Sequence, residues 1–372
     1  MADKRRLLRS ISGIMFAVIL MLLQLGFRDA FLDSALQIIR QIDGDIFLSS
    51  ATKFRFGRKD SFSRRQLYAA RAVAGVASAR PLYGATSLWK NPQTHKTYNA
   101  QIWAFDPDQP VFLFPALATH LTELRQPDTA LYDARARRFL GVAAAGTITE
   151  LGLREIHVIG VFSLGPDFTT DGSIIMSDRN FSKFSASHVM AANELPDVEF
   201  GVVKVQPGYR LAEVQGSLRQ ALPASIAVRT KDEQLALETA FQNSVSPAGP
   251  IFLLGTAIGF FVGMMISYQV LYTDLFDQLH QYATLKAIGY DNRYLVRVVL
   301  GQAALYAFAS FVPGCAIALL LYGLIGQIAL LPLHMTATII SGSFVLTLGM
   351  CLLASAVAVR RVLAFDPADL FR

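Results

Sequence analysis

The chain has 372 residues, 53% of them hydrophobic, with a mean hydropathy of +0.38 and a formal charge of +6. Its apolar residues gather in blocks, which excludes a wholly soluble globule and a disordered chain, and its excess Lys and Arg flank those blocks, so topology accounts for the charge without nucleic acid. The two cysteines, Cys315 and Cys351, lie inside apolar runs, so no disulfide staples a soluble part.

The N-terminus (1–10) carries Lys4, Arg5, Arg6 and Arg9 and precedes a first apolar run over 11–27. Seventeen apolar residues behind basic ones also fit a secretory signal peptide. Arg28-Asp29-Ala30-Phe31 lacks a small-x-small cleavage site, so the run is read as an uncleaved anchor. Phe31, Ala35, Ile38 and Ile42 then recur at helical spacing and predict a stalk helix over 28–43 that Gly44 ends.

A domain over 44–229 follows, long enough to bury its own core. Its expected order is a strand at 45–50, a helix at 63–73 and a strand at 76–83. Short β-type runs at 147–149, 156–162 and 173–176 are separated by turn residues such as Gly165-Pro166-Asp167 and Asp171-Gly172, and they predict a β-rich insert at about 128–180. A strand at 201–205, a helix carrying Leu211, Val214, Leu218 and Ala221 on one face, and a strand at 225–229 complete it. Thr230-Lys231-Asp232-Glu233 fits a capping box, so a second stalk helix begins there, within 230–249.

The second span, 250–272, holds 22 uncharged residues from Ile251 to Tyr272, enough at 1.5 Å each to cross about 30 Å of hydrocarbon. Gly255, Gly259, Gly263 and Ser267 recur every fourth residue and form a close-packing face, either against another span of the chain or across a dimer. An amphipathic stretch at 273–297 links to the third span, 298–322; a short loop at 323–335 without charged residues leads to the fourth, 336–359, and a basic tail, 360–372. The Lys and Arg distribution puts both termini and the 273–297 segment in the cytoplasm and the 44–229 domain outside. The fold class is therefore an α-helical membrane protein with four transmembrane helices and a large α+β extracytoplasmic (periplasmic) domain between helices 1 and 2.

Catalytic signatures are absent. No Gly-x-x-x-x-Gly-Lys-Ser/Thr loop, Gly-x-Ser-x-Gly or His-Glu-x-x-His occurs, and the six histidines are scattered, so neither an enzyme nor a cofactor or metal site is expected. Asn180-Phe181-Ser182 fits a glycosylation sequon by pattern alone. The span centres carry no Asp, Glu, Lys, Arg or His, whereas ion-coupled carriers place such groups there.

The stretch Gln281-Tyr282-Ala283-Thr284-Leu285-Lys286-Ala287-Ile288-Gly289 resembles the signature of MacB/FtsX-like ABC permeases, and more closely the DevC-type exporters. Phe162-Ser163-Leu164-Gly165-Pro166-Asp167-Phe168, Val205-Gln206-Pro207-Gly208 and Tyr268-Gln269-Val270-Leu271-Tyr272-Thr273-Asp274 are similar to the same group. The chain departs from it at Gln281, where Glu is usual, and at Ala303, where a Glu often follows the Gln of span three. The resemblance implies a homodimeric permease subunit driven by a separate cytosolic ABC ATPase, with Leu275, Leu279, Tyr282, Leu285, Lys286 and Gly289 as the ATPase-coupling residues. It further implies a periplasmic membrane-fusion adaptor, an outer-membrane channel protein and export of a lipid, glycolipid or other amphiphile. An FtsX-like transducer that activates a cell-wall hydrolase and a lipoprotein-releasing permease are the alternatives.

Overall fold

The computed structural model describes residues 2–57, 60–168, 170–184, 197–278, 284, 288 and 291–363. They form two compact units, one of residues 31–246 and 329–332, the other of 1–30, 247–328 and 333–372.

Helix α1 (Ala2–Arg40) merges the predicted first span and stalk, because no Pro interrupts the chain near residue 28 and the isolated Gly26 does not break the helix. The soluble unit is built on nine strands: β1 (Ile46–Ser50), β2 (Val76–Lys90), β3 (Thr97–Phe105), β4 (Thr129–Asp133), β5 (Ile148–Leu151), β6 (Arg154–Phe162), β7 (Ser173–Ser177), β8 (Phe200–Val205) and β9 (Ile226–Thr230). They are joined in the order β3-β7-β4-β6-β5-β2-β8-β1-β9, and β3 also pairs with β2, so six strands close on themselves. The long β2 belongs to both parts. Its first half, up to Leu82, pairs with β8, and its second half pairs with β3 from Leu82 opposite Phe105 to Lys90 opposite Thr97.

This arrangement corrects the sequence-based partition. The β-rich portion is not a separate insert beginning near 128, because β2 and β3 supply two of its six strands. Both β3 and β4 escaped prediction: NAQIWAF alternates weakly, and all of β4 is buried, which removes the period-2 signal.

Alternation along β1 puts Ile46 and Leu48 into one core and Phe47 into another. The first core is covered by α2 (Arg65–Arg71) and α5 (Leu211–Ala221) and continues inside the closed strands around Trp89, Tyr132 and Phe181. The second takes in Leu36, Ile38 and Ile39 of α1, Ile42 just beyond it and Leu117 of α3 (Pro115–His120), together with Phe105, Phe162 and Val202. The outer part of α1 thus packs its apolar stripe against this core of the soluble unit. α4 (Asp178–Phe184) buries Asn180 at 2% exposure, where its amide donates to the Gln126 and Thr129 carbonyls, so the sequon is structural and closed to a glycan.

The second unit contains the inner part of α1 with α7 (Ala248–Asp277), α8 (Asn292–Ala329) and α9 (Ala337–Leu363). Four segments are long and apolar enough to cross a membrane: Ile11–Arg40, Ala248–Asp277, Val296–Ala329 and Ala337–Arg360. α8 runs beyond the predicted end at 322, since Gly323 and Gly326 are isolated glycines that an apolar helix tolerates and no Pro follows before Ala329; Leu330, in the left-handed region at φ 57°, lies just past its end.

Candidate functional site

Where α1 ends, the last carbonyls of the helix have no intrahelical partner. Lys231, the first residue of α6 (Lys231–Ser244), takes that role: its Nζ donates to the carbonyls of Arg40 at 3.0 Å and Ile42 at 2.7 Å. A cation here also opposes the negative end of the helix dipole. α6 itself starts on the predicted capping box, with the Glu233 amide donating to Thr230 Oγ1 at 3.1 Å and the Thr230 amide to Glu233 Oε2 at 2.9 Å. The end of one helix and the start of the other are therefore tied through one side chain.

A charged cluster holds the same junction to the sheet. Lys204 of β8 donates to Asp43 at 2.8 Å and lies 3.4 Å from Asp45, whose other oxygen accepts the Val205 amide. The Arg80 guanidinium bonds the backbone carbonyls of Asp43 and Pro110 and sits 3.4 Å from the Asp43 carboxylate. Partial burial alone would raise the Asp43 pKa, but Lys204 and Arg80 outweigh it and hold the carboxyl below its ordinary value. The hydrogen bond to Asp43 chiefly raises Lys204, whereas burial, followed by the charge of Lys204, lowers Lys231.

The turn in Phe162-Ser163-Leu164-Gly165-Pro166-Asp167-Phe168 is fixed from below by Asp133, at the end of β4 and fully buried. That carboxylate accepts three backbone amides, from Arg135 at 3.0 Å, Leu164 at 3.1 Å and Gly165 at 2.9 Å. Burial pushes the Asp133 carboxyl up, and the three amides act in the opposite direction. The turn in turn holds α1: Gln37 Nε2 donates to Gly165 O at 2.9 Å, and Phe31 meets Phe168 edge to face at 5.0 Å.

In the helical unit the small-residue stripe of α7 is occupied within the chain. Gly255 faces Gln24, Gly259 faces Leu20 and Met21, and Gly263 faces Ala17 of α1 and Met350 of α9. Ser267 is buried, its Oγ 3.6 Å from Cys351 Sγ. At the other end of α7, Leu275 is 3% exposed and packed among the helices. Beside it Tyr306 donates to buried Asp274 at 2.5 Å. Leu279, Tyr282, Leu285, Lys286 and Gly289 lie outside the described residues.

Sequence reasoning missed the roles of Lys231, Asp133 and the Asp274–Tyr306 pair. Lys231 sat inside the recognised capping box, and the direction of its side chain was the missing information. Among the described residues no group of three or more His, Cys, Asp or Glu could hold a metal ion.

Comparison with known proteins gives concordant matches. The FtsX-like permease C-terminal family matches residues 253–367, and the MacB-like periplasmic core domain matches residues 8–221. Two uncharacterized ABC transporter permeases of Mycobacterium tuberculosis, from strains CDC 1551 and H37Rv, are each 22% identical over 99% of this chain and 96% of their own. Among solved structures, the periplasmic region of MacB from Actinobacillus actinomycetemcomitans aligns with a TM-score of 0.38 at 12% identity, covering 55% of this chain and 96% of that one. The extracellular domain of the ABC-type transporter YknZ from Gram-positive bacteria aligns at 0.34 and 10% identity, covering 50% and 98%.

Proposed function

The chain belongs to the FtsX-like permeases with a MacB-like periplasmic core domain, and from that premise we propose that it carries motion from a cytosolic ATPase to its periplasmic domain and so drives export of an amphiphile. As an ABC transporter permease it is a multi-pass membrane protein whose ATP hydrolysis belongs to a partner subunit.

The observation that carries the reading is the junction at Lys231. Movement of α1 along its axis acts on a sheet that holds Leu36, Ile39 and Ile42 in its core, and on α6 through the bonds from Lys231 to Arg40 and Ile42. A structure meant only to anchor a domain has no need to tie both helices to one another. The cytoplasmic input is the stretch between α7 and α8, with Leu279, Tyr282, Leu285 and Lys286 docking in a groove of the ATPase, Leu275 securing the stretch to the bundle and Gly289 ending it. The working unit is a homodimer. Its cargo is a lipid, glycolipid or related amphiphile, passed on the outer side to a periplasmic adaptor and an outer-membrane channel, as in DevC-type exporters.

The test is ATP hydrolysis by the partner ATPase in the presence of the intact chain. Replacing Leu279 with Asp and Lys286 with Glu is expected to remove most of the stimulation while leaving the chain folded. Unchanged stimulation in both variants contradicts the docking assignment. Replacing Lys231 with Met leaves stimulation in place and lowers cargo export; equal export in this variant removes the junction from the mechanism.

A further inference from the structure

Within the helical unit a groove of about 480 Å3 runs between α1 and α9. Its α9 wall is an open face: Thr338, Ser341, Gly342 and Val345 are exposed, and a Cβ added at Gly342 meets no atom within 4 Å. Both helices are long and apolar enough to span the membrane, so the groove between them opens onto lipid. α1 climbs towards the periplasmic domain, whereas α9 descends into the bilayer from its start at Ala337. At 1.5 Å per residue, Val345 and Leu346 lie about 10–12 Å deeper than Thr338, and Leu25 lies about 4–6 Å deeper than Arg28 and Asp29. The chemistry is layered to match. Arg28, Asp29, Thr338 and Ser341 form the outer rim, and Leu25, Val345 and Leu346 form the floor.

Size narrows the occupant. A methylene takes about the volume of a water in the liquid, about 30 Å3, so the groove holds about sixteen of them, the content of one acyl chain. A helix, about 10–12 Å across, would fill the same volume over about one turn.

The rim narrows it further, because it carries one guanidinium and one carboxylate on successive residues. A guanidinium has five N–H donors and a carboxylate about four acceptor positions, so each can take a headgroup while keeping its bonds within the chain. Arginine matches a phosphate, and an aspartate matches an ammonium. A head with a further negative charge sets that charge against Asp29, a trimethylated head offers Asp29 no N–H, and a diacylglycerol offers Arg28 no anion. We propose that this groove holds one phospholipid of the periplasmic leaflet whose head joins a phosphate to a primary ammonium. Its phosphate meets Arg28, its ammonium meets Asp29, and one chain lies along the floor while the other stays in the bilayer. The lipid bridges α1 and α9 where α1 leaves the membrane. The inference needs no ATPase, adaptor or cargo, so its failure leaves the export reading intact.

The experiment titrates four dioleoyl lipids separately into the delipidated full chain in maltoside micelles and counts the lipids retained per chain by native mass spectrometry. The four are the phosphatidylethanolamine, the phosphatidylcholine, the phosphatidylglycerol and the plain diacylglycerol. The expected result is one phosphatidylethanolamine per chain, held about tenfold or more tighter than each of the others. Asp29→Asn removes the preference over phosphatidylcholine, Arg28→Gln removes the preference over diacylglycerol, and Gly342→Trp, which builds into open space, abolishes retention. No retained lipid, or any of the other three held as tightly as phosphatidylethanolamine by the unmodified chain, overturns the proposal whether or not the variants fold. Phosphatidylethanolamine kept by Gly342→Trp places the lipid elsewhere and overturns it too. So does a lipid-free pair of chains that Gly342→Trp splits, which gives the groove to a second copy.

Discussion

Single buried polar groups carry much of the local order. Asp133 satisfies three backbone amides, and an asparagine has one acceptor oxygen and an NH2 that opposes a donor. Asp133→Asn should therefore cost about 2 kcal/mol and lower the melting midpoint by about 4–8 °C, measured by calorimetry on the intact chain. At the junction, the depressed pKa of Asp43 means that its contribution to stability is present above its ordinary value of 3.8 and is lost as the pH falls through the folded value. Lys204, raised above its ordinary 10.5, contributes fully below that pH and loses its effect as the pH climbs through the folded value. Asp43→Asn should flatten the acid limb of a stability–pH curve and Lys204→Met the alkaline limb; an unchanged curve in either variant removes that pair from the account. Ala303 is fully buried among the helices, where a carboxylate in its place would need a partner.

Among elements, the periodic helices were the most readable. α5, α6 and the four long helices follow from apolar spacing, caps and length, and the Thr230 capping box survives to the level of its two hydrogen bonds. Thr230→Ala should destabilise α6 by about 1 kcal/mol, visible as a lower melting midpoint. The strands were harder to read because fully buried β4 has no alternation, and ring closure depends on β2 bending from one set of partners to another, which no local window contains. A coupling role for the stretch at 273–297 was legible only as a resemblance. The small-residue stripe was legible as a packing face but not in its partner: spacing alone cannot choose between α1 and a second copy. Because a side chain at Gly259 meets Leu20 and Met21, and one at Gly263 meets Ala17 and Met350, leucine at either position should lower the thermal stability of the purified chain. If stability holds and only dimer yield falls, the stripe serves the dimer instead.

At the level of the whole molecule, one helix, α1, belongs to both compact units, and one lysine ties its end to the start of α6. The inner part of α1 packs among the spans, and the core of the periplasmic domain includes its outer part. We propose that this permease subunit works with a separate ATPase to export cargo through an adaptor. The most direct measurement is mild-detergent isolation of the chain from its native membrane, with co-purifying proteins identified by mass spectrometry. The expected recovery is an ABC ATPase together with a periplasmic adaptor, both reduced when Leu279 and Lys286 are replaced by Asp and Glu. Recovery of the ATPase with a cell-wall hydrolase and no adaptor, or of no ATPase at all, contradicts it.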